Sequence, residues 1–167
     1  ASELGIIDDY VVSISELTEN CDIIIICTPL LTYPNIFAEI SRSTQNGKFI
    51  ITDVGSLKEF TIKTARINLR TESLEHFIPA HPIAGTEKTG VESGFAELFE
   101  DKKVILTPTE NTDKDAIAKV EELWRRCGSI NEIMDAAKHD AIYAEVSHLP
   151  QFLAYCYASL LNEKKIT

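Results

Sequence analysis

One stretch of the chain is dense in groups that can do chemistry: His81-Pro82-Ile83-Ala84-Gly85-Thr86-Glu87-Lys88-Thr89-Gly90. An imidazole titrates near neutral pH, so His81 is a candidate general base. Thr86, Glu87 and Lys88 add a hydroxyl, an anion and a cation within the same loop. Gly85 and Gly90 permit backbone turns that other residues resist. A histidine that caps a strand and satisfies a backbone carbonyl is the plainer alternative, and on the residue alone it stays open. A loop with two glycines, a proline and several polar side chains makes poor core and reasonable site material.

The elements that must position this loop follow from periodicity. The apolar run Phe77-Ile78-Pro79-Ala80 predicts a short strand that ends at His81, because Pro82 does not continue a central ladder. The ring then stands at the carboxyl end of a strand, where open α/β sheets place their ligands. Cys21-Asp22-Ile23-Ile24-Ile25-Ile26-Cys27 is a continuous β-branched run, the mark of a strand buried on both faces. Thr28-Pro29 ends it. Tyr33, Ile36, Phe37 and Ile40 recur at helical spacing. Phe49 to Asp53 is a second buried strand, followed by the turn Val54-Gly55-Ser56. Ser56 suits the N-cap of a helix from Leu57 to about Leu69. Asp53 and Gly55 share that rim and are candidates to line a cofactor cleft.

Further along, a short helix is expected around Phe95–Leu98, and Lys103 to Thr107 is another strand. Ile117, Val120, Leu123, Trp124 and Cys127 mark an amphipathic helix starting near Thr112-Asp113 and ending at Gly128. Ile130 to Met134 forms a final strand. Upstream, Ala1 to Gly5 reads as the last turn of a helix, Tyr10 to Ser13 as a short edge strand and Ile14 to Thr18 as one helical turn. The βα alternation predicts a parallel or mixed sheet covered by helices. After Asp135 the strand signal stops and the chain reads as helical almost to Thr167. Ala137, Ala141, Ala144, His148, Gln151 and Tyr155 are spaced to share one face, suited to close packing or a site wall. Pro150 should kink that helix. The division falls near Asp135, with an α/β domain over 1–134 and the start of a helical domain over 135–167.

Composition narrows the function. The 167 residues are 44% apolar with a formal net charge of −10, which is globular and argues against nucleic-acid or anionic-membrane partners. Cys21, Cys27, Cys127 and Cys156 show neither CxxC nor zinc spacing, so no metal is expected. Cys21 and Cys27 lie at opposite ends of one predicted strand, roughly 20 Å apart, too far to pair. A reducing cytoplasm fits. No signal peptide or transmembrane stretch is evident. None of the seven glycines forms a G-x-G-x-x-G turn.

The His81–Gly90 loop resembles the signature loop of the prephenate and arogenate dehydrogenases of tyrosine biosynthesis. Asp53-Val54-Gly55-Ser56-Leu57-Lys58 and Ser147-His148-Leu149-Pro150-Gln151 are similar to two further stretches of that family, in the same order. The resemblance implies an α/β fold: an incomplete Rossmann-like dinucleotide-binding domain, beginning after the family's second strand, then the start of an all-α domain. It also implies the oxidative decarboxylation of prephenate to 4-hydroxyphenylpyruvate, with arogenate as the alternative substrate. Hydride passes to NAD or NADP, with NAD favoured, and the protein forms a homodimer through its C-terminal helices.

By the same resemblance, His81 matches the catalytic histidine and Ser56 the serine that hydrogen-bonds it near the nicotinamide. Thr28-Pro29 matches the cofactor-side turn. Thr86 and Glu87 match residues that shape the substrate pocket, and His148 and Gln151 match substrate-side positions. Gln151 stands where the family commonly has a second histidine. Glutamine can donate a hydrogen bond there but cannot carry charge. For Ser56 the plain N-cap and for Glu87 a solvated surface acid remain as alternatives. His76 and His139 read as surface or structural residues. Against the enzyme stand a non-catalytic remnant of the family, or an association module. A dehydrogenase of another hydroxyacid is a third, weaker option, disfavoured by the intact loop.

Overall fold

The computed structural model describes residues 2–17, 21–43, 49–86 and 90–163. Its centre is built of short strands in two three-stranded sheets. β1 (Ile23–Ile26), β2 (Ile50–Asp53) and β3 (Phe77–Ile78) run parallel in that order. β4 (Ala80–Pro82) carries the chain on past Pro79 and pairs antiparallel with β5 (Lys103–Leu106). β5 in turn pairs parallel with β6 (Ile130–Ile133). β1-β2-β3 is thus an all-parallel sheet and β4-β5-β6 a mixed one, and Pro79 divides what the sequence predicts as one strand. Pro79 has no N–H to give a ladder, so pairing with β2 stops at Ile78 and pairing with β5 starts at Ala80.

Pro82 is a correction to the expected strand end at His81. It lies inside β4, opposite Val104. The next residue, Ile83, donates its N–H to Lys103 O at 2.8 Å. Antiparallel pairs alternate between bonded and non-bonded positions, so Pro82 falls where no N–H is needed.

Helices cover the sheets, and the short α4 (Thr71–Glu75) leads into β3. On one side, α2 (Tyr33–Ser43) and α3 (Lys58–Asn68) pack Tyr33, Phe37, Ile40, Ala65 and Leu69 against Ile26, Ile51 and Phe77. On the other, α5 (Lys114–Arg126) buries Ala116, Val120 and Trp124 against Ile50, Ile78, Val104 and Leu106. Ile50 and Ile51 sit in opposite clusters, as strand alternation requires. Asp113 caps α5 by accepting the Ala116 N–H at 2.8 Å. Gly128, at φ 84°, turns the chain after it.

The predicted edge strand at Tyr10 to Ser13 does not form. Tyr10 and Val12 are exposed at 70% and 91%. Their β propensity has no neighbouring strand or core to act on. One helical turn, α1 (Ile14–Leu17), follows as expected.

Past Asp135 the described chain is helical: α6 (Ala136–Tyr143), a π-helical turn over Ala144–His148, then α7 (Leu149–Glu163). The π turn is closed by Leu149 N–H bonding to Ala144 O, one residue wider than an α turn. Pro150 explains it, since a proline cannot complete the α-helical bond back to the preceding turn. The face expected to pack closely or to wall a site is solvent-facing at Ala137, Ala141 and Ala144, while its Gln151 and Tyr155 line a cleft. The buried residues of α6 are His139 and Tyr143. In α7 no described side chain is buried.

Candidate active site

The carboxyl ends of β1, β2 and the β3–β4 segment lie side by side, and each carries a predicted site residue. Val54 N–H bonds to Ile26 O at 3.3 Å, which sets the Thr28-Pro29 turn beside the Val54-Gly55-Ser56 turn. Thr28 and Pro29 are exposed there. The Thr28 hydroxyl shares a hydrogen bond of 2.8 Å with Thr32.

Asp53 does not line that rim. Its carboxylate is wholly buried and turned inward. Lys58 Nζ bonds to it at 2.9 and 2.7 Å, the Tyr33 hydroxyl at 3.1 Å, the Gly55 N–H at 2.8 Å and the Ala80 N–H at 3.1 Å. Lys58 Nζ also donates to Ala80 O at 2.6 Å. Burial pulls the Lys58 ammonium below its ordinary range, and the Asp53 carboxylate opposes that pull. The pair replaces the missing ladder between β2 and β4 and holds the strand ends in register. Gly55 is small for this network: a Cβ there would lie 2.6 Å from Leu30 Cδ2 and 2.8 Å from Asp53 Oδ2. Its N–H is already engaged, so it serves the fold before any ligand.

Ser56 is not the N-cap of α3. The helix starts at Lys58 with Leu57 at the cap position, and no side chain from that turn caps it. The cap comes from α6 instead: Asp140 Oδ1 accepts Lys58 N–H at 2.8 Å and Oδ2 accepts Glu59 N–H at 3.0 Å. The Ser56 hydroxyl is thereby left half-buried at the rim. Among the described residues it makes no direct bond to His81.

His81 is half-buried on β4. Its Nδ1 lies 2.8 Å from His139 Nε2, and His139 Nδ1 lies 2.8 Å from Asp140 Oδ1. Tyr143 packs edge-on against His81 and tilted against His139, at centroid distances of 5.4 Å and 4.7 Å. Burial drives the His81 pKa down to about 3, the nearness of the His139, Lys58 and His148 side chains lowers it further, and Asp140 opposes the shift. The ring is therefore neutral through the physiological range. His139, which the sequence reading placed at the surface or in a structural role, is fully buried. Its pKa is also lowered by burial, against the pull of Asp140. Burial would raise Asp140, but the Lys58 N–H, His139 and the Glu59 N–H overcome it and hold the carboxyl low. The adjacent pair His139-Asp140 was the available sequence signal, because a His-Asp dipeptide beside a site helix can orient a base.

The other substrate-side residues fall around the same place. His148 ends the π turn, close enough to depress His81 electrostatically. Thr86 and Gln151 line one cleft of about 1240 Å³, opening two residues beyond His81, with Ile83, Gly85, Phe95 and Tyr155 also in its walls. Gln151 Nε2 donates to the Tyr155 hydroxyl at 3.2 Å. Glu97, Glu100 and Asp101 make the cleft acidic, with Lys102 as its cation among the described residues. Glu87 lies outside the described residues.

Residues 1–132 match the family described as the nucleotide-binding domain of prephenate dehydrogenase. The chain belongs to the prephenate dehydrogenase family. It is 35% identical to a cyclohexadienyl dehydrogenase of Zymomonas mobilis over 167 residues, covering 99% of this chain and 56% of that protein. It is 32% identical to a prephenate dehydrogenase of Bacillus subtilis, covering 98% of this chain and 43% of that protein. The fold superposes on prephenate dehydrogenase from Aquifex aeolicus, solved with hydroxyphenyl propionate and NAD+, at a TM-score of 0.88 and 35% identity. That match covers 98% of this chain and 56% of the other. The chain thus spans about half the length of these curated relatives.

Proposed function

We propose that the protein oxidises and decarboxylates prephenate, or its amino analogue arogenate, with NAD(P) as hydride acceptor, in the cytoplasmic synthesis of tyrosine. The observation that carries this reading is His81. It is a neutral imidazole within β4, two residues before Ile83, which walls a cleft large enough for a small ring substrate. Base and substrate need only be held in line, because aromatisation of the ring supplies the driving force.

His81 accepts a hydrogen bond from the ring 4-hydroxyl and draws its proton as hydride leaves the same carbon. Loss of the ring carboxylate as carbon dioxide returns an electron pair and completes the aromatic ring. Thr86, His148 and Gln151 border the substrate. Glu87 is assigned to the same pocket. A nicotinamide cofactor supplies the hydride acceptor. The residues present suit its nicotinamide end: Thr28 and Ser56 offer hydroxyls on adjacent turns at the strand ends, with Pro29 and Gly55 completing the rim. No G-x-G-x-x-G cradle occurs within the 167 residues. The NAD+ bound by the Aquifex aeolicus relative favours NAD here.

Two features of the helical part belong to the same proposal. The α/β domain occupies 1–134 and the helical domain starts at 135. The apolar side chains of α7, with Phe152, Leu153, Tyr157 and Leu160 each more than half exposed, suit a homodimer contact. The test is NADH formation, by the natural protein carrying this sequence, with prephenate and with arogenate. His81→Asn should abolish turnover while the far-ultraviolet circular dichroism stays unchanged. Wild-type silence with both substrates would overturn the reading in favour of a non-catalytic member of the family.

A further inference from the structure

Resting on the reading of His81 as the proton acceptor, we infer that His139 and Asp140 form a positioning relay that fixes which nitrogen of His81 carries the proton. The geometry sets every tautomer in turn. Asp140 accepts two backbone N–H groups at the start of α3, so it is an anchored acceptor at the positive end of a helix. His139 Nδ1, 2.8 Å from Asp140 Oδ1, must then be the protonated nitrogen. His139 Nε2 is left as an acceptor, and 2.8 Å away it receives the Nδ1–H of His81. His81 Nε2 is left with its lone pair. That is the nitrogen a base needs, and it is the one pointing away from the relay.

Each component is held. His139 is fully buried, and Tyr143 packs on both imidazoles. Among the described residues, the charged or titratable groups facing His81 are Lys58 from α3, His148 from the π turn, and His139, Asp140 and Tyr143 from α6. Of these, Asp140 is the anion. Proton transfer from a substrate hydroxyl to His81 Nε2 makes an imidazolium whose charge is matched through His139 by Asp140. Without the relay a neutral imidazole populates both tautomers, and the Nε2–H form cannot take a proton at the nitrogen that faces away from His139. His139 touches no reacting atom in this scheme. It acts through His81, as the buried aspartate of serine proteases acts through its histidine.

The experiment is histidine-selective 15N labelling of the natural protein, with two-bond 1H–15N spectra at pH 7, beside steady-state kinetics of His139→Phe and His139→Gln. The wild-type His81 should show a protonated Nδ1 and a bare Nε2. In His139→Phe the two nitrogens should move toward averaged shifts, and kcat should fall about 10- to 100-fold with KM within about twofold. His139→Gln should recover most of that loss, because its amide oxygen can accept from Nδ1–H. A wild-type His81 protonated on Nε2 would overturn the relay, and that readout holds even if His139→Phe fails to fold. So would a folded His139→Phe with wild-type kcat, or a defect in KM alone. Absence of any dehydrogenase turnover with the stated wild-type tautomer would sink the proposed reaction and leave the relay standing.

Discussion

Moving the solution from pH 7 to pH 5 should cost this fold stability through His81, and the amount can be worked from its burial. The ring has an ordinary value of 6.5 in the unfolded chain and about 3 in the fold. Its folded value is the lower one, so between these two values the unfolded chain holds the extra proton. Stability is intact above pH 6.5, falls as pH drops through 6.5, and stops falling near pH 3. At pH 5 the unfolded ring is almost fully protonated and the folded ring almost proton-free, so the ceiling is about 2 kcal/mol. The ring is partly exposed, and solvent screening brings the working figure to about 1 kcal/mol. The result barely depends on whether the folded value is 3 or 4, since both lie well below the window. His139 shifts in the same direction. Asp140 is held below the ordinary carboxylate range and titrates beneath the window. The clean quantity is therefore a difference: urea unfolding of wild type and His81→Asn, each at pH 7 and pH 5. Wild type should lose about 1 kcal/mol more than the variant over that interval. Equal losses would refute the claim that the fold keeps this ring neutral by burying it.

Lys58→Met should destabilise by about 3 kcal/mol in urea unfolding, because it strands a buried carboxylate that still has three other donors. A loss under about 1 kcal/mol would mean the pair is not desolvated. Gly55→Ala should cost about 1–3 kcal/mol from the clash with Leu30, Asp53 and Tyr33, and adding Leu30→Ala should return part of it. No return would place the strain elsewhere.

Much of the fold was legible because its strands and helices are local statements. The isoleucine run at β1 and the 3.6-residue spacing of Val120 and Trp124 each name their element without help. The place of His81 on a strand was also readable from the apolar run before it, but the strand end was not, since Pro82 stays inside β4 at a position that needs no N–H. What escaped were side-chain directions set by distant partners. Asp53 looks like a rim acid until Lys58, the first residue of α3, draws it inward. Ser56 has the chemistry of an N-cap, but the cap is supplied from 82 residues away. His139 sits in a helix of small residues with no period to mark it as buried, and its burial comes from His81, 58 residues earlier.

The borrowed cap on α3 has a consequence for how the molecule assembles. A helix whose first turn has no cap of its own starts weakly in an isolated segment. The start of α3 becomes fully satisfied only when α6 has docked and Asp140 has reached it. Docking that one carboxylate also brings His139 up to His81. The loop before α3, the start of α6 and the histidine pair should therefore form and melt as one cooperative unit, visible as matched hydrogen-exchange protection across residues separated by half the chain. On that view residue 135 is a seam in the pattern of elements but not a seam in cooperativity.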